Sequence, residues 1–104
     1  MFGRMHKFGE VVLVSVQFTD TFEIKKRPAL VLFEDQGNVV VAGITSNLKM
    51  KGISITKKEG MAVDSVIKLN YIFTISEKMV EKILFSVPKE KREIIKSELF
   101  RRIN

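Results

Sequence analysis

Apolar residues fall along the chain in short runs separated by turn-forming residues. Residues 9–18 (GEVVLVSVQF) begin as a solid apolar run. They end in alternation, with Val14, Val16 and Phe18 on one face and Ser15 and Gln17 on the other, which predicts a strand with one polar edge. Residues 27–33 and 39–44 are two further apolar runs, and Glu34-Asp35-Gln36-Gly37-Asn38 between them has turn composition. Apolar runs this short suit strands covered on both faces or lining a small barrel. Residues 53–56 alternate and predict a short strand, ended by the turn 57–60. Residues 66–75 alternate throughout, which would set Ile67, Leu69, Tyr71, Phe73 and Ile75 on one face and Lys68, Asn70 and Thr74 on the other, with Val66 and Ile72. That polar face is either solvated or the floor of a groove.

The pattern then changes period. Residues 76–84 (SEKMVEKIL) open on a serine suited to an N-cap and carry Val80, Ile83 and Leu84 at helical spacing, which predicts a short helix. Pro88 then suits the first turn of a final helix reaching about Ile103. Its stripe is Ile95, Leu99 and Ile103, with Phe100 at the edge and Ile94 on another side, where a partner chain would meet it. About five short strands followed by helices predict a small, mainly β domain: a strongly bent antiparallel sheet or barrel closed by a C-terminal helix. Residues 1–8 have no clear period and read as a flexible or loosely docked N-terminal segment; residues 9–104 read as one domain.

The stretch 25–47 organises the rest. An antiparallel hairpin over 27–44 brings Arg27, at its first end, to the same rim as Thr45 and Ser46, at its last. A guanidinium and two hydroxyls then converge. Two plainer roles fit the same residues: a surface arginine preceding Pro28, and a strand-ending turn in which hydroxyls satisfy backbone donors. The loop 19–26 is long for a tight hairpin and is either an ordinary surface loop or a lid closing towards Arg27.

Composition narrows the chemistry. The 104 residues contain no cysteine, which removes disulfides, thiolate nucleophiles and cysteine-based zinc sites. His6 is the only histidine, so one chain cannot build a multi-histidine metal site, and a general-base role for it is outweighed by an incidental one. No run approaches the roughly 18–20 apolar residues of a membrane span, and the first ten residues lack a signal-peptide core, so a cytoplasmic protein is expected. Net charge is +6, which favours a polyanionic partner, either nucleic acid or an acidic protein segment. The charge is evenly spread: residues 1–60 and 61–104 each hold nine Lys/Arg and six Asp/Glu.

The order of these pieces carries a resemblance. A strand beginning Gly-Glu-Val is followed by a polar loop and Arg-Pro-Ala-Leu-Val-Leu. After a turn comes a strand ending Ile-Thr-Ser, and later Asp-Ser-Val-Ile-Lys-Leu before Thr-Ile. Over residues 9–99 the chain resembles the MazF/PemK (Kid-like) toxins of bacterial and archaeal toxin–antitoxin pairs. The resemblance implies an SH3-like small barrel with a C-terminal helix, a homodimer, and metal-independent, sequence-selective cleavage of single-stranded RNA without a cofactor. It also implies an acidic antitoxin that wraps the dimer and blocks the RNA groove. The family's arginine of Arg-Pro and threonine of Ile-Thr-Ser, its main catalytic pair, fall on Arg27 and Thr45, with Ser46 beside them.

Metal-free RNA cleavage uses the ribose 2′-hydroxyl as nucleophile, and the enzyme stabilises charge on the phosphorane. A guanidinium offers a planar fork of donors for that purpose, while threonine and serine hydroxyls bind a phosphate oxygen or orient the 2′-hydroxyl. Lys25, Lys26, Lys49 and Lys51 would surround the same rim and steer the backbone, and Phe22 would stack on a base. The chain departs from the family after Asp-Ser-Val, where acidic-Gln-x-Arg-Thr is replaced by Asn70-Tyr71-Ile72-Phe73-Thr74. Asn70 cannot transfer a proton, and Lys68, on its strand face, is the nearest substitute cation. The loop before Arg27 also lacks the histidine that some relatives carry there, and Lys25 and Lys26 replace the usual glycines. These changes favour the second reading, a non-catalytic member of the fold that binds nucleic acid or protein through the same groove. A third reading, an unrelated RNA- or DNA-binding barrel, lacks the evident surface aromatic cluster that single-strand binders use.

Overall fold

The computed structural model describes residues 5–17 and 24–103, excepting the side chain of Gln17. Its strands are β1 (Glu10–Gln17), β2 (Ile24–Asp35), β3 (Asn38–Thr45), β4 (Ile53–Ile55), β5 (Ser65–Ser76) and β6 (Val80–Ser86), followed by a helix α1 (Lys89–Ile103). They form one curled, fully antiparallel sheet in the order β4-β5-β3-β2-β1-β6.

The central apolar runs lie in the middle of that sheet and are covered on both faces over residues 29–32 and 41–44, while Phe33 is exposed. Val11, Leu30, Ala42, Ile44, Ile55 and Ile67 point to one face, where Ile95 and Leu99 of α1 and Val87 complete a core. Val12, Val14, Ala29, Val31, Val39, Val41 and Ile75 point to the other, joined by Phe73, Met79, Val80 and Ile83. The β2–β3 hairpin is tight: Asp35 pairs with Asn38, and both turn residues have positive φ, Gln36 at 49° and Gly37 at 81°. A two-residue turn of this kind matches the twist of the strands it joins.

Residues 76–84 do not form the expected helix. Ser76 does cap, its Oγ accepting from the Lys78 N–H at 3.2 Å, but only a 3₁₀ turn over Glu77–Met79 follows, and then β6. The apparent helical spacing has a β explanation. Val12 pairs with Ile83 and Val14 with Val80, so a bulge between them places two residues three apart on one strand face. A helix of nine residues is marginal alone, whereas β6 satisfies the open edge of β1.

A larger irregularity breaks the expected alternation of β5. Ala42 pairs with Ile72 but the next residue, Gly43, pairs with Lys68, so Leu69, Asn70 and Tyr71 are extra on β5. Three is an odd number, so the face of the strand inverts. Ile67 and Leu69 enter the core beneath α1, while Phe73 and Ile75 enter the opposite one. On α1 the expected stripe narrows to Ile95, fully buried, and Leu99; Ile94, Phe100 and Ile103 are exposed. Of the N-terminal segment, His6 donates its backbone N–H to Glu34 Oε1 at 2.7 Å and its Nδ1 lies 3.0 Å from Glu10 Oε1, while Phe8 packs on the core beneath α1.

Candidate functional site

The hairpin register decides where the polar ends of β2 and β3 meet. Ala29 and Gly43 form the last pair of the β2–β3 ladder, beyond a bulge between Val31 and Phe33, and Arg27 and Thr45 each lie two residues past that pair on their strands. The two residues line two adjoining cavities in common. One, of about 220 Å³, is walled by Val16, Arg27, Pro28, Gly43, Ile44, Thr45, Lys68, Tyr71 and Phe73. The other, of about 430 Å³, adds Lys26, Ser46 and the segment Met61, Ala62, Val63 and Ser65 to Arg27 and Thr45. A larger hollow, about 610 Å³, lies elsewhere, between α1 and Gly52, Ile53 and Leu69, and shares none of these lining residues.

Each wall has a local cause. Arg27 and Val14 pair across β2 and β1, so the guanidinium rises from the strand face that carries the Val12–Val31 core. Lys68 reaches the same face because it pairs with Gly43 below the β5 bulge. Thr45 ends β3, and its Oγ1 accepts from the Asn47 N–H at 3.1 Å, the turn-capping bond that hydroxyl residues favour there. That bond uses one lone pair. The hydroxyl proton and the second lone pair remain for another partner. Asn47 Oδ1 accepts in turn from the Lys49 N–H at 3.1 Å, which fixes the start of the 47–52 segment.

The other expected residues are dispersed. Lys26 Nζ lies 3.7 Å from Glu81 Oε1. Glu81 also accepts from Ser15 Oγ at 2.6 Å, and that hydrogen bond, with Lys26 beside it, holds the carboxyl below its usual range. Lys25 is half-buried opposite Val16 and lines neither cavity. Lys49, Lys51 and Asn70 are exposed and line neither. Phe22, with the rest of residues 19–23 of the loop considered as a lid, lies outside the described residues. The last three residues of that stretch are not loop, because Ile24, Lys25 and Lys26 pair with β1 and begin β2 ahead of Arg27. His6 is held by Glu10 and Glu34, away from both cavities. Among the described residues, no three His, Asp or Glu side chains gather into a metal-binding group, and neither cavity has a carboxylate or an imidazole in its wall.

What the pattern of the sequence does not bring out is aromatic. Tyr71 and Phe73 stand in the wall of the smaller cavity with ring centroids 5.1 Å apart and planes tilted by 37°. Tyr71 is 57 % exposed. An aromatic pair does therefore sit on the surface beside Arg27, contrary to expectation. Strict alternation hides it by making Tyr71 a core neighbour of Leu69; only the bulge brings the ring out. Gly43 makes room for it, since a Cβ there would stand 2.6 Å from Tyr71 Cδ2.

The family model of PemK-like, MazF-like toxins of type II toxin–antitoxin systems matches residues 7–101. The chain belongs to this family. Solved structures agree on its fold. The crystal structure of MazE–MazF (form II) from Deinococcus radiodurans superposes with a TM-score of 0.78 at 16 % identity, over 97 % of this chain and 97 % of that one. MazF (form I) from the same organism gives 0.71 at 18 % identity, over 97 % and 98 %. The Mycobacterium tuberculosis toxin MazF-mt6 gives 0.70 at 18 % identity, over 86 % and 90 %. No curated protein matches the chain. The mainly β barrel-like sheet with a C-terminal helix is thus the toxin fold, and among the described residues no helix is long and apolar enough to cross a membrane.

Proposed function

We propose that this MazF/PemK family member is a metal-independent, sequence-selective endoribonuclease that cleaves single-stranded RNA, with Arg27 and Thr45 as its principal catalytic residues. The observation that carries the reading is the convergence of a guanidinium, a lysine and a hydroxyl on one small cavity. The 2′-oxygen attacks phosphorus, the bond to the 5′-oxygen breaks, and a cyclic 2′,3′-phosphate and a 5′-hydroxyl result. Arg27 donates to the equatorial oxygens as their charge rises, with Lys68 as a second cation, and Thr45 binds a phosphate oxygen or aligns the 2′-hydroxyl. Ser46 contributes from the adjoining cavity. The attacking proton passes to solvent and the leaving oxygen takes one from it, because no carboxylate or imidazole of the described residues is placed to do so.

Lys25, Lys26, Lys49 and Lys51 supply the field that gathers the RNA backbone. The +6 charge and the toxin–antitoxin family suit neutralisation by an acidic antitoxin in the cytoplasm. The exposed Ile94, Phe100 and Ile103 leave apolar area for a homodimer contact. The test is a long, weakly structured RNA incubated with purified protein in EDTA, beside Arg27→Ala. We expect discrete cuts by the unsubstituted protein and a loss on the order of 10²–10³-fold in the variant. RNA that stays intact at concentrations where it is bound would overturn catalysis. It would support instead a binding member of the fold, the reading favoured by Asn70 and by the lack of a carboxylate among the described residues of the cavity wall.

A further inference from the structure

Tyr71 occupies a costly position for an aromatic residue. It stands at the end of the three-residue bulge of β5, and more than half of its surface is open. It is nevertheless fixed. Its ring lies over the backbone of Gly43, with Cδ2, Cε2 and Cγ all within 3.7 Å of the place a Cβ would occupy, and Phe73 borders it at 5.1 Å. A rigid, half-open ring walling a cavity is what a planar heterocycle can lie on, and bulges commonly serve to re-aim one side chain beside a site. The same cavity wall offers the two groups a nucleotide's phosphate requires, the Arg27 guanidinium and the Lys68 ammonium, with the Thr45 hydroxyl between strands.

We propose that Tyr71, backed by Gly43 and flanked by Phe73, is a stacking platform for one base of a single-stranded nucleic acid whose phosphate lies at Arg27, Lys68 and Thr45. The platform rests on reading the cavity as an RNA site but not on RNA being cut there. Its base selectivity comes from stacking and from the limited volume of about 220 Å³, rather than from paired hydrogen bonds, so it tolerates several bases while demanding a flat one.

The chain carries its own reporter, since Tyr71 is the only tyrosine and there is no tryptophan. The experiment titrates the full chain with a labelled 2′-O-methyl RNA nonamer of mixed sequence, which cannot be cleaved. Binding is read by anisotropy of the label, and tyrosine emission is corrected for RNA absorption. An abasic oligomer of the same length serves as the phosphate-only ligand. The expected result is quenching of Tyr71 that follows occupancy with the nonamer and is absent with the abasic oligomer. Tyr71→Leu should weaken nonamer binding by about 5- to 150-fold, with Tyr71→Phe and Tyr71→Trp staying within about threefold of the unsubstituted chain. Saturation with unchanged emission, nonamer binding by Tyr71→Leu equal to the original, weakening by Tyr71→Phe as large as by Tyr71→Leu, or no nonamer binding would each overturn the platform. Cleavage of unmodified RNA, followed in parallel, separates the two readings. Cutting with unmoved emission removes the platform alone, and quenching without cutting removes the catalysis alone.

Discussion

Thr45 already has one task, closing the turn after β3 through the Asn47 N–H, and the proposed reaction gives its hydroxyl a second. The two tasks can be separated. Thr45→Val should lose the turn bond, worth about 1 kcal/mol, and should also lower single-turnover cleavage by about 10²-fold. Thr45→Ser keeps both hydroxyl functions and should stay within about tenfold. Ser46→Ala should do less, because Ser46 lines only the larger cavity. Equal losses at Thr45→Val and Ser46→Ala would point to the larger cavity as the reaction site. A bulge between Val31 and Phe33 shifts the register by one from the turn pair Asp35–Asn38, so the facing of Arg27 and Thr45 lay outside the sequence pattern. Their shared rim was legible, from a hairpin with apolar arms and a polar turn. Tyr71 was not. Its position depends on a bulge that three residues, Leu69 to Tyr71, make without a glycine or proline to announce it.

Among the elements, α1 is fastened to the sheet by apolar contact at Ile95 and Leu99 and by a partly exposed ion pair. Lys91 Nζ lies 3.0 Å from Glu59 Oε2 and donates to the Ser54 carbonyl at 2.6 Å, so one side chain ties the helix to β4 and to the 3₁₀ turn Lys57–Glu59. Burial alone would raise the Glu59 carboxyl, but the Thr56 N–H and Lys91 outweigh it, and the net effect holds it below the usual carboxylate range. The sign follows directly. A carboxyl lowered in the folded state adds stability above its unfolded value, and that increment disappears as pH falls through the folded one. Chemical unfolding from pH 7 to pH 3 should therefore show an acid-dependent loss of which Lys91→Met removes a part, about 1 kcal/mol or less for a pair at the surface. An unchanged pH profile in Lys91→Met would mean the pair contributes nothing. The strands were legible for the same reason the acid pair was not. Period-two runs declare themselves locally, whereas Lys91, Ser54 and Glu59 meet only once the helix has docked. The segment Val80–Ser86 failed for a related cause: a bulge gave it the spacing of a helix, and only the unpaired edge of β1 makes it a strand.

At the scale of the whole molecule, an excess of six positive charges says that polyanions will be attracted but not which cations hold them. Salt dependence can say. For single-stranded nucleic acid the slope of log K against log salt is about −0.7 for each phosphate neutralised. The two cavities present three cations, Lys26, Arg27 and Lys68. If these alone engage the RNA backbone, affinity should fall about 20-fold between 50 and 200 mM salt. If Lys25, Lys49 and Lys51 engage as well, six contacts give a fall of about 300-fold. The structure favours the smaller figure, since Lys49 and Lys51 stand in the exposed 47–52 segment and line neither cavity. The double variant Lys49→Ala, Lys51→Ala should accordingly leave the slope of nonamer binding within error, whereas Lys68→Ala should reduce it by about 0.7. A slope reduced by about 1.4 in the double variant would extend the binding surface along the 47–52 segment, and would give those lysines direct phosphate contacts beyond the long-range field they supply.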